Sequence, residues 1–118
     1  MINNRWGEFC RVFGVTPRNR VLEFFLACRE LDFTIGNVIK ETGLGRATAY
    51  DTTEELIREK YVIPTRKVAG GQLYKLDLKK KEVKVLIRAL NMVLRGIAEE
   101  YSKKEEAVAY SRQLKNKE

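Results

Sequence analysis

The stretch Thr34 to Val62, TIGNVIKETGLGRATAYDTTEELIREKYV, decides how the rest of this chain is read. Thr34 carries a hydroxyl suited to capping a helix, and Ile35, Val38 and Ile39 recur behind it at helical spacing, so a helix is expected to run to about Glu41. Gly43 supplies a left-handed residue that ends such a helix without a Cβ penalty. A second helical pattern opens at Gly45, a tolerated cap, and runs to about Lys60 with Ala49, Thr53, Leu56 and Ile57 on one side. Two helices separated by Thr42-Gly43-Leu44-Gly45 have helix-turn-helix spacing, which leaves the outer face of the second helix free to meet a ligand.

Downstream lies Pro64 to Lys81, PTRKVAGGQLYKLDLKKK. Pro64 argues against a helix, Gly70-Gly71 tolerates the positive φ of a tight turn, and Gln72 to Asp77 alternates in polarity. A β-hairpin is expected over residues 63–78. Upstream, Thr16-Pro17 is a helix start, with a hydroxyl cap followed by proline where its missing N–H costs nothing. The helix it opens carries Val21, Leu22, Phe24, Phe25, Leu26 and Cys28, an apolar load suited to the centre of a small core. Cys28 is expected to be a small buried residue, with redox sensing as its alternative. Before it, Trp6, Phe9, Cys10 and Phe13 predict a short amphipathic helix over Asn4 to Phe13.

From Glu82 onward the pattern is helical again. Val83, Ile87, Leu90, Leu94, Ile97, Tyr101, Lys104 and Val108 alternate spacings of four and three, which is an a/d seam. Leu86, Ala89 and Val93 broaden its first half, so the opening turns can pack on the domain while later turns face a second chain. The helix is expected to reach about Leu114. Three segments follow: an N-terminal helical extension (1–15), a central domain (16–81) and a C-terminal dimerisation helix (82–118).

With 118 residues, 44% of them hydrophobic, the chain has room for one compact domain and an appendage. Its formal net charge of +7 favours a polyanionic partner, and the charge is uneven. Residues 63–81 hold six basic residues against one acidic, whereas residues 45–62 hold three against four. No histidine is present, and Cys10 and Cys28 lie outside any CxxC spacing, so neither a metal nor another cofactor is expected. Without a membrane span or signal segment, the expected location is cytoplasmic and reducing.

Little here could carry catalysis. Ser102 and Ser111 sit on the C-terminal helix, Gly43 and Gly45 are explained by the turn, and pairs such as Glu54-Glu55 read as solvated helix faces, so the chain is not expected to be an enzyme. Nucleic-acid contacts can be stated residue by residue. Arg46, Ala47, Thr48, Tyr50 and Asp51 share the outer face of the second helix. Arg46 suits a guanine edge or a phosphate, Thr48 a phosphate, Ala47 and Tyr50 a thymine methyl, and Asp51 a cytosine amino group. Tyr50 could instead pack on the hairpin and Asp51 pair with a local base. Arg66, Lys67 and Lys75 flank a hairpin tip, Gly70-Gly71-Gln72, with no bulky side chain to block close approach to a backbone or minor groove. Lys79 to Lys81 serve equally as phosphate contacts or as a solubilising linker.

From Thr16 to Leu78 the chain resembles winged-helix transcription regulators of the broad MarR, ArsR and PadR kind, in their short prokaryotic form. The resemblance is carried by T-I-x-x-V-I-x-E-T-G-L-G-R-A-T-A-Y-x-x-x-x-E-L-I-R-E-K-Y-V and the Gly-Gly hairpin after it. It implies a mainly α fold with a small β-hairpin (α+β), a winged helix-turn-helix with a long C-terminal helix. It further implies sequence-specific binding of double-stranded DNA by a homodimer, with helix 45–60 in the major groove and the 63–78 wing on the backbone or minor groove. By matching position, Arg46, Ala47, Thr48, Tyr50 and Asp51 take the reading role, and Arg66, Lys67, Gly70, Gly71 and Lys75 the wing role. Leu90, Leu94, Ile97, Tyr101 and Val108 form the expected dimer interface. Gly45 stands where such proteins usually have a serine cap, Thr53 where they have an aliphatic residue, and Asp51 where a polar or basic residue faces DNA. No residue set identifies an effector. The competing expectation is a winged helix used as a protein-interaction module in a replication, partition or transcription assembly.

Overall fold

A computed structural model describes residues 6–116. It contains α1 (Glu8–Phe13), α2 (Pro17–Ala27), α3 (Ile35–Thr42), α4 (Arg46–Arg58), β1 (Val62–Val68), β2 (Gly71–Leu76) and α5 (Lys81–Asn116). The chain is mainly α with one antiparallel hairpin. α2 occupies the centre. The Thr16 hydroxyl accepts the Asn19 N–H at 3.0 Å, and Pro17 takes the first helical position. Val21, Leu22, Phe25 and Leu26 are all buried, and α1, α3, α4 and β2 each pack on this one helix. Burying such a side chain is worth about 1.5–3 kcal/mol, so α2 accounts for much of the core. Phe24, Phe25 and Phe33 extend it as tilted and edge-on ring pairs with centroids 4.6 to 6.2 Å apart.

The helix-turn-helix is built as its residues require. Thr34 and Asn37 form a reciprocal capping box, and Gly43 ends α3 at φ 72°. The Thr42 hydroxyl donates to the Val38 carbonyl at 2.6 Å and accepts the Leu44 N–H at 3.3 Å, so it binds the turn to the helix before it. The Arg20 guanidinium of α2 donates to the Thr42 carbonyl, adding a cation at the negative end of α3. α4 stops at Arg58 rather than Lys60. Lys60 adopts φ 63°, and its N–H and that of Tyr61 donate to the Ile57 and Leu56 carbonyls, a Schellman closure with lysine in the usual glycine position.

In the hairpin, β1 already starts at Val62, ahead of Pro64, and a register shift between Pro64 and Lys67 kinks it. Phe33 adds a third, single-residue strand, exchanging hydrogen bonds of 2.7 and 2.8 Å with Tyr74. A bridge this short leaves no periodicity in the sequence.

At the N-terminus the helix is shorter than expected. It begins at Glu8, with Asn4 and Arg5 outside the described residues and Trp6 preceding it. The Glu23 carboxylate accepts the Gly7 and Cys10 N–H groups at 2.5 and 2.9 Å, capping α1 from α2. The cysteine expected in the core is not the one found there. Cys10 is fully buried, and burial together with the Glu23 charge pushes its thiol up to about 11; Cys28 is half-buried at the C-cap of α2. α5 lays Val83 and Leu90 into the core and projects beyond it. No described helix is long and apolar enough to cross a membrane.

Thr53 is completely buried and its hydroxyl has no hydrogen-bond partner among the described residues. A buried, unpaired hydroxyl costs roughly 1–3 kcal/mol, so Thr53→Val, which keeps the shape and removes the polar atom, is expected to stabilise the fold by about 1 kcal/mol. Urea unfolding would register this as a higher midpoint at unchanged slope.

Candidate nucleic-acid interface

α4 divides cleanly. Ala49, Thr52, Thr53 and Leu56 face the core, while Arg46, Ala47, Thr48, Tyr50 and Asp51 are all exposed in its first two turns. Helical spacing explains the division, since residues 49, 52, 53 and 56 fall on one side of a helix and residues 46, 47, 48, 50 and 51 on the remainder of its circumference. Thr52 is an inward residue the sequence pattern did not identify. Neither Arg46 nor Asp51 has an ion-pair partner among the described residues.

The hairpin stands beside this face. Pro64, Thr65, Arg66, Lys67 and Val68 are all exposed, which is what a strand held mainly by its partner and its base would show. Tyr50 of α4, Thr34, Ile35 and Gly36 at the start of α3, and Gly70, Gly71, Gln72 and Tyr74 of the hairpin together line a cleft of about 290 Å³. The fold thus brings Tyr50 and the two tip glycines together. Gly71 has φ 120°, a conformation that excludes most side chains, and nothing lies within 4 Å of where a Cβ would sit at Gly70 or Gly71. The Gln72 side chain donates to the Arg66 and Leu73 carbonyls at 3.0 Å each, holding the tip across the register shift.

Two ion pairs change the charge read from the sequence. Arg18, in the first turn of α2, reaches Glu55 at 2.9 Å and Glu59 at 3.0 Å and lies over the Tyr61 ring. The hydrogen bond from Arg18 is the main cause that holds the Glu59 carboxyl below its ordinary range. Adding this cation to three basic and four acidic residues in 45–62 brings the surroundings of α4 from −1 to neutral. On the hairpin, Arg66 is bound by Asp32, with Nε to Oδ2 at 2.9 Å and Nη2 to Oδ1 at 3.3 Å. Lys80 also lies over the Tyr61 ring, at 5.1 Å, and near Glu82 at 3.9 Å, so it is engaged within the fold. Lys67 is exposed and Lys75 half-buried, and neither has an ion-pair partner among the described residues. Asp32 and Arg18 were missed by sequence reasoning because their partners lie more than thirty residues away and no local spacing joins them.

Along α5, Ile87 and Ile97 are half-buried, but Leu94, Tyr101 and Val108 are 47%, 64% and 49% exposed. A further cleft of about 500 Å³ lies between α1, α2 and α5, walled by Phe9, Leu26, Arg29, Leu90 and Leu94 among others. Among the described residues no three His, Cys, Asp or Glu side chains are placed to hold a metal.

A helix-turn-helix whose second helix is followed by a kinked hairpin defines a winged helix. Solved structures share this architecture. Residues covering 91% of the chain superpose on 80% of a mutant of S. aureus MepR, with a TM-score of 0.57 and 15% identity. A possible transcriptional regulator from Methanosarcina mazei Go1 matches over 82% of this chain and 81% of its own, at TM-score 0.51 and 15% identity. A MarR family transcriptional regulator from Silicibacter pomeroyi matches over 72% and 55%, at TM-score 0.52 and 17% identity. No family model and no curated protein matches the chain. At these identities the likeness is one of fold.

The tether between Asp32 and Arg66 sets a pH dependence. Hydrogen bonds from Arg66 and then from Thr65 lower the Asp32 carboxyl from 3.8 to about 2. A depressed carboxylate stabilises the folded wing above its unfolded value and loses that contribution as pH falls through its folded one. The tether is therefore expected to persist from neutral pH to about 4 and to be lost from there towards 2. Carboxyl NMR should place the Asp32 midpoint near 2, rising with salt because the pair is open to solvent; a midpoint at the ordinary value would remove the tether from the solution structure.

Proposed function

We propose that this protein binds double-stranded DNA sequence-specifically as a homodimeric transcriptional regulator, with α4 in the major groove and the wing on the adjacent backbone or minor groove. The observation that carries the reading is the joint exposure of the first two turns of α4 and the basic hairpin, brought together around the Tyr50 cleft. Arg46, Thr48, Tyr50 and Asp51, with Ala47 between them, present hydrogen-bonding groups and apolar surface to base edges. Lys67 and Lys75, without ion-pair partners among the described residues, neutralise phosphates, and Gly70 and Gly71 let the tip approach. The structurally similar proteins described as transcriptional regulators support the same class.

Salt dependence is the direct test. The affinity for duplex DNA, followed by fluorescence anisotropy, should fall linearly with log[salt], and Lys67→Ala and Lys75→Ala should each make the slope shallower by about 0.9. A flat dependence, or slopes unmoved by both changes, refutes the reading. Exposed Asp51 and Glu54, which lack ion-pair partners among the described residues, favour the second reading, a protein-interaction module. That reading gains if the intact protein ignores duplex DNA.

Dimerisation rests on α5. The turns beyond Leu94 project from the domain, and a helix without tertiary packing is marginal in water, whereas its Leu94, Tyr101 and Val108 stripe is exposed and apolar. Pairing two copies along this stripe covers it and sets half-sites about one DNA turn, ~34 Å, apart. Light scattering should give a dimer, and Leu94→Asp with Tyr101→Asp should give a folded monomer with weakened DNA binding. A wild-type monomer at micromolar concentration would confine the seam to packing on its own domain.

A further inference from the structure

The arginine that the wing presents is not a free cation. Arg66 has 65% of its side chain exposed, whereas the Asp32 side chain that holds it is only 20% exposed, so the carboxylate is the buttress and the guanidinium the outer group. Both contacts use one edge of the guanidinium, Nε and Nη2. Nη1 and the second Nη2 hydrogen remain without a partner among the described residues, and together they form the end of the fork that matches two adjacent acceptors.

Each member of the pair is itself fixed. The Thr65 hydroxyl donates to Asp32 Oδ2 at 2.7 Å, and the Gln72 amide donates to the Arg66 carbonyl at 3.0 Å. Phe33, next to Asp32, is locked to Tyr74 by two backbone hydrogen bonds. The sheet therefore positions the aspartate, and the aspartate positions the arginine.

We infer that Asp32 is a positioning residue that makes Arg66 an oriented, charge-compensated reader of paired acceptors in a DNA groove rather than a phosphate clamp. The inference rests on the DNA-binding reading above. Its physical basis is a separation of roles. A carboxylate this close offsets the attraction of the guanidinium for the polyanion, so Arg66 adds little to counterion release. The same carboxylate removes the rotamer freedom of a long side chain, so the remaining fork is pre-organised for a pair of adjacent acceptors, which in the minor groove are adenine N3 and thymine O2. Salt-dependent affinity then belongs to Lys67 and Lys75, and geometry to Arg66.

The test uses the full-length protein, a duplex selected by it from a random pool, and a random duplex as probe. Asp32→Asn should release a full positive charge, tighten binding to random duplex, steepen the salt slope by about 0.9 and lower the preference for the selected duplex on the order of tenfold. Combining it with Arg66→Ala should return the slope to the wild-type value. Amide protection of Phe33 and Tyr74 reports whether the wing stays docked in Asp32→Asn. Arg66→Lys, which leaves Asp32 in place, supplies an independent arm: it keeps the charge but loses the fork, so preference should fall while affinity for random duplex holds.

Full preference in Arg66→Lys, or a slope unmoved by Asp32→Asn with the wing docked, overturns the inference while leaving DNA binding intact. Equal weakening on both duplexes by Asp32→Asn and Arg66→Ala also overturns it, because the pair would then only staple the wing. A wild-type protein that binds no duplex overturns the DNA reading and this assignment with it.

Discussion

Everything in this molecule is arranged around the burial of α2. An eleven-residue helix with Val21, Leu22, Phe25 and Leu26 out of water cannot sit on a surface, and it must be covered on several sides at once. α1, α3, α4 and β2 are the covers. Polar groups on the same helix then bracket the three helical covers: Glu23 caps α1, Arg20 holds the end of α3, and Arg18 ties down Glu55 of α4 and Glu59 at its C-cap. One helix supplies both the apolar centre and the polar brackets of the helix-turn-helix.

The outer charges are governed by the same packing. Summed along the sequence, α4 is slightly acidic and the hairpin strongly basic, which assigns affinity to the hairpin alone. In the folded chain Arg18 neutralises the acidic end of α4 from behind, and Asp32 takes up one of the hairpin cations. The contrast between α4 and the wing becomes smaller. On the hairpin strands Lys67 and Lys75 remain without an ion-pair partner among the described residues, as do Arg46 and Arg58 at the two ends of α4.

Much of the fold was legible because it is written in local signals. The Thr34 cap, Gly43 and Thr16-Pro17 each act within a few residues and appear where expected, whereas the hairpin turn falls on Ala69-Gly70, with Gly71 already opening β2. The buried and exposed faces of α4 followed from spacing, with Thr52 the inward residue overlooked. Cys28 was misplaced for a different reason. It continues an apolar run but falls at the C-cap, where the helix ends, whereas Cys10 lies on a short helix whose burial depends on how α1 meets α2 and α5.

The sequence by itself determined the order and kind of the elements, the two helix ends of the helix-turn-helix and the apolar seam of α5, since caps, turns and periodicity are properties of neighbouring residues. Only the tertiary structure decided the Phe33–Tyr74 bridge, the pairing of Asp32 with Arg66 and of Arg18 with Glu55 and Glu59, and the cleft where Tyr50 meets the wing tip. These depend on contacts between residues far apart in the chain, and no short-range pattern encodes which distant charge or strand a side chain will meet once α2 is buried.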